Sequence, residues 1–476
     1  MGVKDTKELG LVGLSAVVFS TMVGGGIFNI PQNMADMAGS EAVALAWLVT
    51  GIGVLFLVLT FKILADREPD LNAGIYEYAS KGFGNYAGFN IAWGYWLCVA
   101  FGNVSFAVML NDAFGAFFPI LLEHGWATVL FGMILIWGMY GLVVRGLVLA
   151  STINTVMSCL KCGAIVLIIL TMALFFKAEL WKADLLGPIS SADGSMLLGG
   201  IGEQIKNSML ITMFCFVGIE GAVMLASHAK KTSYVGLASI IGFVSALALY
   251  ILVSGLCFGL LSQHELENLP DPSVAYIMGI FCGDWAYYTV LITIIVSLLS
   301  AWVAWTLVCA QTPYGAAEVR ILPKNFLRLN KRGMPAYGLR ASSVLMTLFV
   351  FLVCTAPDVY RASLNLTTIM VLPAYLFCGL YLSKISKGKR FIGVACTIYC
   401  LWCIYAGGIL LFLASSVFYA IGIYYYCVTR RQIETEERIK RPLFTAGEKI
   451  ACALIIIAAI VSVVLLATGE LNLSGI

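Results

Sequence analysis

Thirteen apolar runs, each about eighteen residues or longer, divide this 476-residue chain. A bilayer core about 30 Å thick needs roughly twenty apolar residues in helical form to cross it, so the runs specify a polytopic helical membrane protein. With 61% hydrophobic and only 12% charged residues, the chain could not cover itself with polar surface in water. The spans fall at about 9–31, 41–64, 85–119, 126–144, 151–176, 202–227, 236–262, 284–312, 338–356, 361–383, 391–409, 411–428 and 447–468. The opening MGVKDTKELG is polar and carries no cleavable signal pattern. The expected organisation is a transporter-like core over 1–430, a charged linker over 431–446, and an extra helix with a short tail over 447–476.

Basic residues set the orientation. With the N-terminus in the cytoplasm and strict alternation, 24 of the 29 lysines and arginines fall on the cytoplasmic side, Lys4, Lys7, Lys440 and Arg441 among them. Lys177, Lys182, Lys206 and Arg361 remain outside, and Lys161 lies within a span. A bacterial inner-membrane protein follows, its C-terminus outside if all thirteen helices cross. The net charge of +3 points to no nucleic-acid partner.

Fourteen cysteines lie almost entirely within apolar runs and read as small packing residues, including the C-x-x-C pairs Cys159/Cys162 and Cys400/Cys403. His124, His228 and His264 are too scattered to build a metal site, and no phosphate-cradling glycine loop exists. Neither a metal nor a cofactor is expected. No nucleophile–base pair suggests a membrane enzyme, and paired broken helices argue against a channel.

The first span is interrupted at TMVGGGIFNI, where Gly24, Gly25 and Gly26 follow one another. The sixth, SMLITMFCFVGIEGAVMLAS, is interrupted by Gly218 and Gly221 with Glu220 between them. Glycine-broken helices at corresponding places in two halves point to an inverted-repeat transporter, with repeats of about 9–176 and 202–383. Broken backbone at membrane depth is tolerated where it lines a cavity. The half-helix start after Gly26 offers N–H groups to a carboxylate, and the end of the preceding half offers carbonyls to an ammonium. An α-amino acid carries both groups. Close helix packing is the competing reading of these glycines.

Charges at this depth cost about 2.5–3.5 kcal/mol each on insertion scales. Lys161 can stand in for a bound sodium ion, carry a proton, or cap carbonyls of the broken first helix. Glu220 can pair with a cationic substrate, take part in proton coupling, or accept a hydrogen bond from a tyrosine within a gate. Asn103 is polar at depth, and Phe214, Phe216 and Trp305 are aromatic faces able to close over a cation.

VGGGIFNIPQNMA, FCFVGIEGA and NAGIYEYASKGFGNYAGFNIAWGYW together resemble the signatures of amino acid–polyamine–organocation transporters, over about residues 8–430. The wording is most similar to the basic amino acid/polyamine antiporter branch, especially arginine/ornithine exchangers. The resemblance implies an all-α, leucine-transporter-like fold of 5+5 inverted repeats, with twelve core helices and a thirteenth, working by alternating access without ATP. It also implies site residues. Met22, Gly24, Gly25, Gly26 and Ile27 would take the carboxylate and amino group. Tyr95, Cys98, Val99 and Asn103 would line or flank the side-chain pocket. Phe214 matches an aromatic gate, and Val217 and Gly218 the backbone contact beside it. Trp305 would stack on the substrate, and Thr367 and Thr368 would touch its distal end. Tyr76 and Glu220 match a cytoplasmic-side gating pair, and Lys161 the lysine of sodium-independent relatives.

The sequence departs at Phe214, where arginine-handling relatives carry tryptophan; this opens the pocket to a shorter cation or to an aromatic or imidazole amino acid. The expected activity is exchange of arginine or lysine for ornithine or a related product. Exchange of an amino acid for its decarboxylated amine (arginine/agmatine, histidine/histamine or tyrosine/tyramine) and proton-coupled symport stand as alternatives. Small amino acids and amines and the lipid bilayer are the expected partners, with a homodimer left open.

Overall fold

The computed structural model describes residues 9–71, 73–123, 125–183, 185, 187, 198–355, 358–438 and 442–468. Lys4, Lys7, His124, Lys440, Arg441 and the tail from 469 lie outside the described residues, as does the side chain of Arg361.

Among the described residues every regular element is helical. In order they are α1 (Leu11–Met22), α2 (Ile30–Met37), α3 (Ser40–Arg67), α4 (Ile75–Phe83), α5 (Asn85–Gly115), α6 (Trp126–Val143), α7 (Leu147–Phe175), α8 (Ala178–Ala183), α9 (Ile201–Phe214), α10 (Gly221–Met224), α11 (Ser233–Cys257), α12 (Gln263–Glu267), α13 (Ser273–Cys282), α14 (Asp284–Glu318), α15 (Ala336–Thr355), α16 (Asp358–Ile385), α17 (Arg390–Ala406), α18 (Ile409–Glu437) and α19 (Ala446–Ala467). Among the described residues nine of these are long and apolar enough to cross a membrane. The two broken helices, α1–α2 and α9–α10, together with α15 and α17, account for the other four expected spans.

Amphipathicity is weak because the surroundings of most helices are apolar on both sides: lipid outside, neighbouring helices inside. Burial therefore separates the layers better than hydropathy does. Most of the central part of α5 and α14 is buried, whereas α19 exposes Ile450, Leu454, Ile457 and Ile460. α5 and α14 form the central post, with α1, α7 and α16 packed around it and α11 behind α1.

α18 runs on through the charged residues 431–437, so the expected linker begins as helix. Its end is tied to the segment after α14 by ion pairs of Glu437 with Arg320, at 2.9 Å, and of Glu436 with Lys324. α19 opens with a capping box between Thr445 and Glu448, which satisfies the first free N–H groups of the helix.

Candidate substrate site at two broken helices

Each break is made by glycine. α1 ends at Met22; a single short turn over Gly26–Phe28 follows, and α2 begins at Ile30 with Pro31 in its first turn. A side chain at Gly25 would run into Leu298 and Met109. In the other helix, residues 215–220 are turns between α9 and α10. Gly218 has φ +107°, and a β-carbon there would meet the backbone of Thr21 at 3.0 Å. The breaks touch: the Thr21 hydroxyl donates to the Gly218 carbonyl at 2.8 Å.

Side chains from three other helices hold the first break open. Trp305 Nε1 donates to Thr21 O at 2.8 Å, Tyr250 OH to Met22 O at 2.7 Å, Lys161 Nζ to Val23 O at 2.5 Å, and Ser297 Oγ to Gly24 O at 2.9 Å. This corrects one expectation: the carbonyls at the end of the first half-helix already have protein donors. A helix end buried away from water must find such partners, and these four residues supply them. What is left open is the opposite set. The N–H groups of Gly25, Gly26 and Ile27 have no acceptor among the described residues. In the second break the carbonyls of Cys215 and Val217 likewise accept nothing among the described residues.

A cavity lies between these open groups. It is lined by Met22, Gly24, Gly25 and Gly26 from the first break, by Phe214, Cys215 and Val217 from the second, and by Tyr250, Trp305 and Thr367. α5 contributes Gly102, Ser105, Phe106 and Met109, which recur at helical spacing along one face. Sequence reasoning missed this stripe. Phe106 packs edge-on against Trp305 with centroids 6.3 Å apart, and Gly102 leaves room beside Trp305 and Thr367. No lining residue carries a charge.

Several expected residues are buried beside the cavity without lining it. Cys98 lies one turn below Gly102, on the side of Glu220, while Val99 and Asn103 belong to the adjoining face of α5, where Asn103 Nδ2 donates to Val99 O at 2.8 Å. Ile27, Gly218 and Thr368 are also outside the lining set. The slip on α5 is a rotation of about 100°, one residue's turn in a helix.

The expected gating pair is not formed. Tyr76 OH donates to Ala73 O at 2.5 Å, close against Gly315 of α14. Glu220 is fully buried and accepts from Tyr95 OH at 2.6 Å, from Tyr375 OH, and from Gly218 N at 3.2 Å. Tyr95, expected beside the substrate pocket, thus serves the carboxylate. Three donors around one carboxylate pin the second break from below. Near Tyr76, on α4, the Glu77 carboxyl is pushed above its ordinary value by burial, against the Ala73 N–H bond that lowers it.

Lys161 is fully buried, reaching Ser20 Oγ at 3.1 Å as well as Val23 O. Ser20 Oγ lies 2.8 Å from Ser300 Oγ, which lies 3.2 Å from Ser158 Oγ. One ammonium thus joins α7 to the end of α1, with α14 bonded through the hydroxyls. Of the three readings of Lys161, capping of the broken helix is directly visible.

The comparisons agree with this geometry. The family model described as amino acid permease matches residues 9–439. Arginine/agmatine antiporters of Chlamydia pneumoniae and Chlamydia caviae are 38% and 39% identical, each alignment covering 99% of both chains. That of Chlamydia trachomatis serovar L2 is 37% identical over 98% of both. Among solved structures, a Na+-coupled sialic acid symporter in a substrate-bound outward-open state matches with a TM-score of 0.54 at 11% identity, covering 85% of this chain and 90% of the other. That likeness carries the fold alone. A helical membrane protein with two glycine-broken helices around an uncharged cavity, matched over nearly its whole length, this chain belongs to the amino acid permease family of the amino acid–polyamine–organocation superfamily and has the leucine-transporter-like fold.

Proposed function

We propose that this protein is a secondary-active antiporter that takes up arginine in exchange for agmatine. The observation that carries this reading is the cavity itself: open N–H groups at one end and uncharged, aromatic walls at the other. The Gly25 and Gly26 N–H groups receive the α-carboxylate, and the free carbonyls of Cys215 and Val217 receive the α-ammonium. Phe106, Phe214 and Trp305 face the rest of the molecule. A guanidinium is planar and weakly hydrated and stacks on aromatic faces, whereas a compact ammonium keeps its water strongly. With no carboxylate in the lining, such walls favour the guanidinium of arginine and agmatine over the side-chain ammonium of lysine or ornithine. The names of the similar relatives support the same pair.

Agmatine lacks the carboxylate, so it leaves the N–H groups of the first break unfilled and binds more weakly there. It carries one more positive charge than arginine, so one-for-one exchange moves a positive charge outward. The distribution of lysine and arginine supports a cytoplasmic N-terminus, and the bacterial relatives support a bacterial inner membrane.

The test is counterflow in proteoliposomes preloaded with arginine, agmatine, ornithine, lysine or buffer. Labelled arginine should enter only against internal arginine or agmatine, and an interior-positive potential should speed the exchange against agmatine but not that against arginine. Uptake into buffer-loaded vesicles would overturn antiport, and equal stimulation by ornithine would overturn the guanidinium choice.

A further inference from the structure

Between Glu318 and Asp358 the chain carries six basic residues and no acidic one, and between Glu123 and Glu179 there is again no acidic residue. Arg320 and Lys324, the first two of the six, pair with Glu437 and Glu436 of α18. Arg328, Lys331, Arg332 and Arg340 are exposed and form no ion pair among the described residues. Arg145, in the turn between α6 and α7, is exposed and also lacks an acidic partner among them.

The fold brings these five charges to one place. Asn330 Nδ2 donates to Val144 O at 2.8 Å, and Arg332 Nη1 to Arg145 O at 3.1 Å, so the 328–334 loop is fastened over the α6–α7 turn. Asn330 Oδ1 accepts from the N–H groups of Arg332 and Met334 at 2.8 and 3.0 Å, which fixes the shape of the loop. The Arg328 guanidinium lies over the Tyr337 ring, 5.7 Å from its centroid, at the start of α15. Arg340 follows one turn later on the same face of α15, and Val344 and Leu348 continue that exposed face. α6 and α7 are both long and apolar enough to cross a membrane, so the turn that joins them marks its boundary. A cluster of cations thus stands at that boundary, next to an apolar stripe.

We infer that this surface binds an anionic phospholipid, with its phosphate among Arg145, Arg328, Lys331, Arg332 and Arg340 and an acyl chain along Val344 and Leu348. Guanidinium groups hold phosphate through paired N–H donors, and basic clusters beside membrane helices draw anionic headgroups. Basic residues are common at the ends of membrane helices, and orientation alone accounts for many of them. Two observations set this cluster apart. It has no paired carboxylate, whereas near the turn between α16 and α17, which carries Lys387, Lys389 and Arg390, Tyr381 OH donates to Glu68 at 3.3 Å. Its loop is also held in one shape by the bonds of Asn330, none of which serves the substrate cavity. Lipid binding here depends on the membrane fold and not on the choice of substrate.

The experiment is native mass spectrometry of the full chain in detergent, titrated with phosphatidylglycerol or phosphatidylcholine at equal concentration. The wild type should retain phosphatidylglycerol at least about fivefold better than phosphatidylcholine. A triple variant, Arg145→Gln with Lys331→Gln and Arg340→Gln, leaves the Asn330 and Arg332 bonds of the loop in place and should lower phosphatidylglycerol retention about tenfold. Arg340→Gln alone should lower it about threefold. The control triple variant, Lys387→Gln with Lys389→Gln and Arg390→Gln, removes the same charge at the α16–α17 turn and should stay within about twofold of wild type. Equal retention of the two lipids by the wild type overturns the inference. So do equal losses in the two triple variants, which would make the preference one of overall charge. Excess inorganic phosphate should not displace the lipid; displacement by phosphate alone would make this a free-anion site and overturn the lipid assignment.

Discussion

The ammonium of Lys161 donates to the carbonyl of Val23 at 2.5 Å, from the middle of α7 to the residue at which the first helix stops. A lysine nitrogen donor thus stands where a broken helix exposes its carbonyl end, the favourable partner for that end of the dipole. Replacing Lys161 by alanine leaves Val23 O and Ser20 Oγ without this donor, at about 1–3 kcal/mol for each orphaned buried acceptor. Arginine counterflow should fall at least about tenfold. The vacated space is lined by oxygens of Ser20 and Val23, a donor set suited to a hard monovalent cation, so sodium should restore part of the lost rate in the variant and do nothing in the wild type. Unchanged exchange in the variant would assign Lys161 to packing.

Glu220 has only acceptor groups to offer Tyr95, Tyr375 and the Gly218 N–H. Glutamine in its place exchanges one of the two acceptor oxygens for an NH₂ group and removes the charge that strengthens the bonds from the three donors. Glu220→Gln should therefore destabilise the folded protein by about 1.5–3 kcal/mol, the range for hydrogen bonds to a charged group. Tyr375→Phe, which deletes one donor and leaves the carboxylate two others, should cost less. Thermal unfolding in detergent measures both.

Much of this was legible in the sequence. The thirteen apolar runs and both breaks, with Gly24–Gly26 as cavity wall, follow from run length and paired glycines, and the family resemblance pointed to Phe214, Val217, Trp305 and Thr367. What could not be read was rotation and partnership. α5 is apolar on every face, so nothing in its pattern distinguishes the Gly102–Ser105–Phe106–Met109 stripe from the face bearing Val99 and Asn103. The donors Tyr250 and Ser297, which occupy the first break's carbonyls, sit some 230 and 270 residues away in sequence, and only the packing of α11 and α14 against α1 brings them in. Glu220 announced itself as a buried charge, but its tyrosine partners come from α5 and α16 rather than from Tyr76.

Gly25 has no room for a side chain, since Leu298 and Met109 lie where its β-carbon would be. Gly25→Val should abolish arginine uptake while the protein still elutes as a folded species on size exclusion. At Gly163 on α7, nothing lies within 4 Å of the place a β-carbon would take. Gly163→Ala is the matched control and should retain uptake, with stability raised by about 0.5–1 kcal/mol as expected for alanine in a helix.

Trp305 does two things that one substitution separates. Its ring lines the cavity and its Nε1–H holds Thr21 O. Trp305→Phe keeps an aromatic face and removes the donor, so Thr21 O is orphaned. The expected result is an arginine KM raised about tenfold, from roughly 1.4 kcal/mol of lost support at the break. A KM within twofold of wild type would mean that the ring alone matters.

Glu265 caps α12, the short helix packed against α2. Hydrogen bonds from the Ser262 hydroxyl and backbone N–H hold its carboxyl below the ordinary 4.5. A lowered folded value means that its stabilisation is present above 4.5 and is lost as pH falls through the lower folded value. The protection of the amides of residues 262–267, measured relative to their intrinsic exchange rates, should therefore fall on acidification below that range. Glu265→Gln keeps an acceptor for the Ser262 N–H and should show no acid-dependent step.

The central claim is that the backbone N–H groups after the first glycine break hold the substrate's α-carboxylate. A cryo-electron microscopy map of the protein with arginine bound tests it most directly. The account predicts carboxylate density within hydrogen-bond distance of the Gly25 and Gly26 nitrogens, with the guanidinium between Phe106 and Trp305. Arginine bound with its carboxylate elsewhere, those N–H groups remaining open, would contradict it.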